Sequence, residues 1–259
     1  MTKELVISVK KLKYKYKVET TENKYYFSEE TILKYSIFKD REFDEAELKE
    51  IVFEEEKNNL INKAINYLSY QARSINEIRK YLIKNECNEA VLEDIVEKII
   101  SLGYLDDEAL GVSLLDYSKR TLKGPRFLEN KLKEKMLEED LIKRLTKEYT
   151  LDAEEAVVNE LFFKIGARYS KYPLRKQKEL IYAKLVRDGF SSEVINSLLA
   201  RAEFIDQSND TLDNEFRKLI NKFMTEDGLD SSSKQKIIQR LLAKGYDYSL
   251  IKAKFESLN

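Results

Sequence analysis

Hydrophobic residues between positions 64 and 107 recur at helical spacing in three short runs, with polar turns between them. Residues three or four positions apart lie on one face of a helix, so these side chains are expected to line the inside of a three-helix group. Ser74 followed by Glu77 is a capping-box sequence, which predicts the start of the second helix. The apolar positions are Leu68, Ile78, Leu82, Val91, Ile95, Ile99 and Leu102.

The same pattern recurs three times further along the chain. The anchor leucine near the end of each second helix is Leu82, Leu132, Leu185 or Leu241, and successive anchors are 50, 53 and 56 positions apart. This period is slightly longer than that of most helical solenoids. Five positions after each anchor stand Cys87, Leu137, Phe190 and Tyr246, and nine positions after it stand Val91, Leu141, Val194 and Leu250.

The first 28 residues have a different pattern, in which apolar and polar positions alternate. Alternation with a period of two predicts β-strands, here a hairpin or a three-stranded meander, and Ser28 then predicts the start of a short helix. Between Lys3 and Lys24, seven lysines face three glutamates. One side of this sheet is therefore expected to be basic, although lysines on an edge strand also protect sheets from aggregation.

These patterns predict a mainly α-helical fold of tandem three-helix repeats. Four units are expected to form a curved, elongated array, preceded by a small N-terminal β-hairpin or meander with a short helix. The few glycines and prolines, seven and two, fit helices better than barrels or sandwiches. The predicted divisions are an extension at 1–56 and repeats at 57–106, 107–150, 151–206 and 207–259.

The residue types present argue against an enzyme. The chain has no histidine and one cysteine, and it contains neither GxxxxGK[ST] nor GxGxxG, so histidine-based catalysis, thiolate zinc sites and the usual phosphate loops are excluded. Cys87 is interpreted as a packing residue, and Asp106 and Asp107 as helix caps rather than as a metal site or acid–base pair. We expect no cofactor and no metal.

The chain also lacks the marks of a membrane or secreted protein. No apolar run approaches the roughly 20 residues of a membrane span, the N-terminus has no signal-peptide pattern, and the single cysteine fits a reducing compartment. A cytoplasmic protein is expected. From Asp40 to Glu56 the chain has nine acidic and two basic residues, which we interpret as a solvated helix face. A surface that meets a basic partner is the alternative.

The net charge of −1 gives no overall attraction to nucleic acid, so any such contact must come from local patches. Two basic stretches, at 117–135 and 164–187, cover equivalent parts of the second and third repeats. We expect them to form a stripe that binds phosphate or an acidic protein surface, with a solvated helix face as the alternative. The candidate contact residues are Lys119, Arg120, Lys123, Arg126, Lys131, Lys133, Arg168, Lys171, Arg175, Lys176 and Arg187.

The chain resembles the RecX family, bacterial regulators of RecA. The resemblance extends over nearly the whole chain and is clearest from Ala64 to Leu132; the strand 24–28 and its helix resemble the N-terminal extension of RecX proteins from Gram-positive bacteria. One departure is that Glu86 and Met136 stand where the family often has glycine. The residues that carry the likeness are Ala64, Tyr67, Leu68, Arg73, Ser74, Glu77, Leu82, Val91, Ile95, the run Leu102-Gly103-Tyr104-Leu105-Asp106-Asp107, Arg120, Lys123-Gly124-Pro125 and Leu132.

The resemblance implies a non-enzymatic regulator of homologous recombination and the SOS response. Such a protein binds the RecA filament, limits its growth and so reduces ATP hydrolysis and strand exchange. It also implies a monomer that binds single- or double-stranded DNA weakly by itself and does not bind membranes. Two alternatives remain open: a direct DNA-binding protein that uses helix-turn-helix-like pairs without RecA, and a scaffold for a helical partner that uses the acidic segment at 40–56.

Overall fold

The protein is mainly helical, with a small antiparallel sheet near its N-terminus, which confirms the predicted fold class. The computed structural model describes residues 3–204, 208–224 and 228–257, and this part of the chain forms four strands and thirteen helices. No helix within these ranges combines the length and the apolar character needed to cross a membrane. The chain divides into a first unit, Met1–Leu110 with Lys135–Leu137, and a second unit, Gly111–Glu134 with Glu138–Asn259.

Four antiparallel strands form the sheet, namely β1 (Lys3–Lys11), β2 (Tyr16–Thr20), β3 (Lys24–Phe27) and β4 (Glu42–Asp44), in the order β3-β2-β1-β4. Val6 of β1, Val18 of β2, Phe27 at the end of β3 and Phe43 in the middle of β4 are buried in a core shared with helices α1 (Glu29–Lys34) and α2 (Glu45–Tyr70). The short β4 was missed by the sequence analysis, because its three residues lie inside an acidic run.

Buried Glu55 on α2 holds the sheet and α1 together. Its carboxylate accepts hydrogen bonds from Ser28 N at 2.9 Å, Thr31 Oγ1 at 2.7 Å and Lys15 Nζ at 3.3 Å. Burial alone would raise the pKa of Glu55, but these hydrogen bonds outweigh it and hold the pKa below its usual value. The acidic run is therefore not wholly a solvated face, since Glu55 has a structural role.

The remaining helices follow the predicted order of three-helix groups. Apolar clusters are formed by α2–α4, by α8–α10 and by α11–α13. Helix α2 runs unbroken through position 56, and the predicted division at 206/207 lies outside the described residues, so the repeat boundaries stay a prediction. The helices are α3 (Ile75–Lys84), α4 (Glu89–Ser101), α5 (Asp107–Arg120), α6 (Pro125–Glu134), α7 (Glu139–Glu148), α8 (Leu151–Tyr169), α9 (Leu174–Arg187), α10 (Ser192–Arg201), α11 (Ser208–Phe223), α12 (Ser231–Ala243) and α13 (Tyr248–Glu256).

The turn after each second helix contains one residue in the left-handed backbone conformation. These residues are Glu86 (φ 63°), Met136 (φ 54°), Gly189 (φ 91°) and Gly245 (φ 93°), each four positions after its anchor leucine. In three of the turns the next amide donates back to the anchor carbonyl, as in Cys87 N to Leu82 O at 3.1 Å. Glu86 and Met136 thus adopt the left-handed conformation without being glycine, which costs about 1–2 kcal/mol of conformational energy at each position.

Replacing exposed Glu86 by glycine is expected to stabilise the first unit. Glycine adopts the left-handed conformation without the steric cost, and part of this gain is offset because glycine is also freer in the unfolded chain. The net effect on the free energy of unfolding should be about +1 kcal/mol. Urea unfolding followed by circular dichroism measures this change.

The matched control is Glu97→Gly, at an exposed position inside α4. There the backbone is right-handed, so glycine should lower the free energy of unfolding by about 1 kcal/mol. Destabilisation by both substitutions would contradict the assigned turn geometry.

Candidate functional site

In the second unit, the start of α6 packs directly against the turn between α9 and α10. Gly124 N donates to Asp188 O at 2.9 Å, and Arg126 N donates to Gly189 O at 3.0 Å. A Cβ atom on Gly124 would overlap the carbonyl group of Gly189, and one on Gly189 would lie 2.5 Å from Phe127 N. Two backbones therefore meet with no room for a side chain on either glycine. We call this contact the α6 joint.

A buried ion pair closes the same joint. Lys123 Nζ lies 2.7 Å from Asp188 Oδ1, and Lys184 pairs with the other oxygen of this carboxylate, whose side chain is 4% exposed. Burial would raise the pKa of Asp188, but the bonds and charges of the two lysines outweigh it and hold the pKa below its usual value. The backbone carbonyl of Lys123 also accepts a hydrogen bond from Tyr149 Oη at 2.7 Å. Burial, followed by the nearby charge of Glu154, raises the pKa of Tyr149 well above its usual value.

Similar contacts occur at two other left-handed turns. In the second unit, a Cβ atom on Gly245 would lie 2.9 Å from Lys176 Cβ, near the start of α9. In the first unit, Asn76 Nδ2 donates to Met136 O at 2.8 Å, and Lys135 Nζ lies 3.2 Å from Glu77 Oε2. In each case a turn after one second helix contacts the start of the preceding second helix.

The predicted contact lysines interact with other side chains of the fold, through ion pairs or through aromatic rings. Lys123 is held in the α6 joint, Lys119 Nζ lies 5.4 Å from the centre of the Tyr149 ring, and Lys171 Nζ lies 5.4 Å from the centre of the Tyr172 ring. The other three form ion pairs on the helix surface, Lys131 with Glu134, Lys133 with Glu129 and Lys176 with Glu179. Their charges are largely balanced by neighbours.

The predicted contact arginines differ from these lysines. All five side chains are exposed, and none forms an ion pair with another residue in the described ranges. They are Arg120, Arg126, Arg168, Arg175 and Arg187. The α6 joint brings Arg126 and Arg187 to its two sides, because the amide of Arg126 bonds to Gly189, two residues after Arg187. Arg175 precedes Lys176 at the contact with Gly245. Exposed guanidinium groups can bind phosphate or carboxylate through paired hydrogen bonds.

A groove of about 540 Å³ beside the start of α9 adds basic residues that the sequence analysis missed. Lys171, Tyr172 and Lys176 line one side, while Lys218 and Lys244 line the other. The last two come from the fourth predicted repeat and are far away in sequence, so only the tertiary fold brings them to this groove. Both also pair with Glu215, which lowers the net charge there.

The described residues contain no arrangement that suggests catalysis. No group of three or more histidine, cysteine, aspartate or glutamate side chains in these ranges could hold a metal ion. Cys87 is buried, and burial raises the pKa of its thiol. Asp106 caps α5 by accepting from Ala109 N at 2.8 Å, as predicted. Asp107 accepts from Ile75 N at 2.9 Å, so its carboxylate also binds the start of α3.

Comparison with known proteins identifies relatives along most of the chain. Residues 61–98 match the model of the first three-helix domain of RecX. The chain is 33% identical over 238 residues to the regulatory protein RecX of Listeria innocua, which covers 90% of this chain and 88% of that protein. It is 30% identical over 234 residues to the regulatory protein RecX of Staphylococcus aureus, covering 88% and 84%.

Two solved structures have a similar fold. A crystal structure of a regulatory protein RecX superposes with a TM-score of 0.60 at 24% identity, covering 76% of this chain and 100% of that one. The crystal structure of RecX from Lactobacillus salivarius superposes with a TM-score of 0.51 at 26% identity, covering 56% and 94%. The helical fold described above is therefore shared with these proteins.

Gly124→Ala is expected to destabilise the second unit, because the new Cβ atom would overlap backbone atoms of Gly189. Overpacking of this kind costs about 1–3 kcal/mol. Gly166→Ala is the matched control, since the site is inside a helix and its added Cβ would meet no heavy atom within 4 Å apart from the adjoining backbone of that helix. It should stabilise by about 0.5–1 kcal/mol. Thermal unfolding measures both changes in stability. If both substitutions changed the stability in the same direction, the close approach at the α6 joint would be contradicted.

Asp188→Asn is expected to lower the free energy of unfolding of the second unit by about 1–3 kcal/mol at neutral pH, because two lysines lose their buried partner. A carboxylate with a depressed pKa stabilises the fold above its unfolded pKa. For Asp188 that ordinary value is 3.8, and the contribution is lost as pH falls below it through the folded pKa. Urea titrations from pH 7 to pH 2.5 should show the difference between wild type and variant shrinking below pH 3.8. A constant difference would contradict this assignment.

Proposed function

The chain belongs to the RecX family of regulatory proteins, and we propose that it binds the RecA nucleoprotein filament and limits the growth of that filament. The identity of 33% over 90% of the chain carries this proposal. In this role the protein slows ATP hydrolysis and strand exchange by RecA, and so regulates homologous recombination and the SOS response. It acts as a monomer and without a cofactor, and it binds DNA only weakly by itself.

The proposed contacts are the exposed arginines of the second unit. A nucleoprotein filament offers DNA phosphates and protein carboxylates, and a guanidinium group can bind either one through paired hydrogen bonds. Arg126, Arg175 and Arg187 support the proposal best. The α6 joint holds the backbone near Arg126 and Arg187, the residue after Arg175 packs closely against Gly245, and all three side chains are exposed. A group on a rigid backbone loses less conformational entropy when it binds.

The occupied lysines have a supporting role in this proposal. Lys123 holds the α6 joint through Asp188 and so positions the neighbouring Arg126. Lys131 and Lys133 balance acidic neighbours on α6 and keep the helix surface near neutrality. The remaining candidates are proposed to attract phosphate more weakly and over a longer range, and they are Lys119, Arg120, Arg168, Lys171 and Lys176.

A second candidate function is direct DNA binding without RecA. It is supported by the pairing of α6 with α7 and of α9 with α10, each a helix pair joined by a short turn, as in helix-turn-helix proteins. This function requires binding to bare DNA that weakens steeply as salt rises. Retention of a labelled duplex in the absence of RecA distinguishes it from filament binding.

We expect stoichiometric protein to lower the rate of ATP hydrolysis by RecA on single-stranded DNA. The double variant Arg126→Glu with Arg175→Glu should need at least tenfold more protein for the same inhibition, because each lost charge-assisted contact costs about 1.5–3 kcal/mol. A coupled ATPase assay measures both rates. No inhibition by the wild type would overturn the proposed function.

The control variant is Arg217→Glu, at an exposed arginine of α11 outside the candidate set. Combined with Lys222→Glu, at an exposed lysine of the same helix, it makes the same charge change as the double variant and should inhibit RecA like the wild type. Equal losses in the double variant and this control would assign the effect to net charge. If the double variant lost duplex binding but inhibited RecA normally, direct DNA binding would be the function of these arginines.

A further inference from the structure

The outer face of the N-terminal sheet carries a row of basic and aromatic side chains. Tyr26 on β3 is paired in register with Lys17 on β2, which is paired with Lys10 on β1. Directly opposite residues of neighbouring antiparallel strands point to the same face of a sheet. The tyrosine is 53% exposed. An aromatic ring and two ammonium groups therefore lie side by side across three strands.

The β1–β2 hairpin tip adjoins this row. Leu12 N donates to Lys15 O at 2.7 Å and closes the tip, from which Tyr14 projects with 82% of its surface exposed. Lys13 Nζ lies 4.9 Å from the centre of the Tyr14 ring. Residues 10–17 contain five lysines and no acidic residue. We call Lys10, Lys13, Tyr14, Lys17 and Tyr26 together the tyrosine–lysine face.

The hairpin is fixed by lysines that point elsewhere. Lys15 Nζ binds Asn59 Oδ1 at 2.9 Å as well as buried Glu55 on α2. Lys11 Nζ and Tyr16 Oη bind Glu29, at 3.2 and 3.1 Å. These bonds tie both strands of the tip to helices of the first unit. Tyr14 is therefore presented on an anchored hairpin, which reduces the entropy that binding would cost.

The tyrosine–lysine face keeps an excess of positive charge that can attract an anion. Within the described ranges Lys10 and Lys13 form no ion pair. Glu19 is the acidic residue nearest to Lys17, at 2.7 Å, and it also lies 3.8 Å from Lys24, so two lysines balance its one charge. The local charge of the face is positive, although the whole chain has a net charge of −1.

We propose that the tyrosine–lysine face binds single-stranded nucleic acid. Unpaired bases stack on exposed aromatic rings while lysines contact the adjacent phosphates, and sheets with exposed aromatic residues are a recurring platform for such strands. An acidic protein surface could form ion pairs with the lysines, but its carboxylates would not stack on the two exposed tyrosine rings. A duplex hides its bases from such rings. This site lies in the first unit and does not depend on the arginines proposed to contact RecA.

The first test is photochemical cross-linking of the full-length protein to an oligonucleotide that contains 5-iododeoxyuridine. A base stacked on tyrosine cross-links on irradiation, and peptide mapping then locates the attached residue. We expect attachment at Tyr14 or Tyr26. To remove the competing contacts, the experiment is repeated in the Arg126→Glu, Arg175→Glu background, where this attachment should persist. Cross-links confined to residues outside 10–27 would overturn the proposal.

The second test is fluorescence anisotropy with a labelled oligothymidylate in the same background. Tyr14→Ala and Tyr26→Ala should each weaken binding about fivefold or more, as expected for the loss of one stacked base. Lys10→Glu should weaken binding and reduce its dependence on salt. The matched controls are Tyr70→Ala, at a tyrosine of the same unit that is 87% exposed, and Lys63→Glu on α2. Both should bind like the parent.

Each remaining outcome counts against the proposal. If the face variants and the controls lost binding equally, general charge or surface area would explain the affinity. If the face variants kept DNA binding but no longer bound vesicles that contain anionic phospholipid, the face would be assigned to lipid. Circular dichroism of each variant checks that the sheet is intact, and all substituted side chains are exposed or on the outer face.

Discussion

The fit of one backbone against another at the α6 joint constrains the structure around the candidate site. At this joint the turn after α9 approaches the start of α6 so closely that neither Gly124 nor Gly189 can carry a side chain. The approach lets Gly124 N and Arg126 N bond to carbonyls of the turn, and these amides are among those that a helix start leaves without intrahelical partners. The joint therefore solves the hydrogen-bonding problem of a helix end and sets the position of the following arginine. The stability of the second unit and the position of a proposed contact residue therefore depend on the same contact.

The α6 joint also separates the roles of lysine and arginine. Lys123 reaches the buried carboxylate of Asp188, and its charge is neutralised there together with that of Lys184. Such a pair is sensitive to the loss of either partner, because the remaining charge would be buried alone. The arginines nearby keep their guanidinium groups in solvent. Basic residues that look equivalent in the sequence therefore differ in the folded protein, where the lysine stabilises the α6 joint and the arginines stay exposed.

Much of the fold could be predicted from periodicity, because each helical group buries one regular apolar stripe. The anchor leucines, the cap at Ser74 and the start of α6 at Pro125 all follow from local sequence. Strand β4 could not be predicted, since three residues in an acidic run become a strand only by pairing with β1. The burial of Glu55 was missed for the same reason. Its partners Ser28, Thr31 and Lys15 come from two distant segments.

For the candidate site, the sequence predicts which stretches are basic but not which basic side chains are paired within the fold. Local sequence identifies basic stretches, whereas the pairing of Lys123 with Asp188 spans 65 positions and depends on the joint. The near balance of 46 basic and 47 acidic residues makes this detail decisive. A chain with almost no net charge gains little from long-range attraction, and salt limits the remaining attraction to about 8–10 Å. Binding must then come from the few charges that folding leaves unpaired, held where a partner can reach them. The exposed arginines beside the α6 joint are the proposed charges of this kind in the second unit, and the lysines of the anchored hairpin are those in the first.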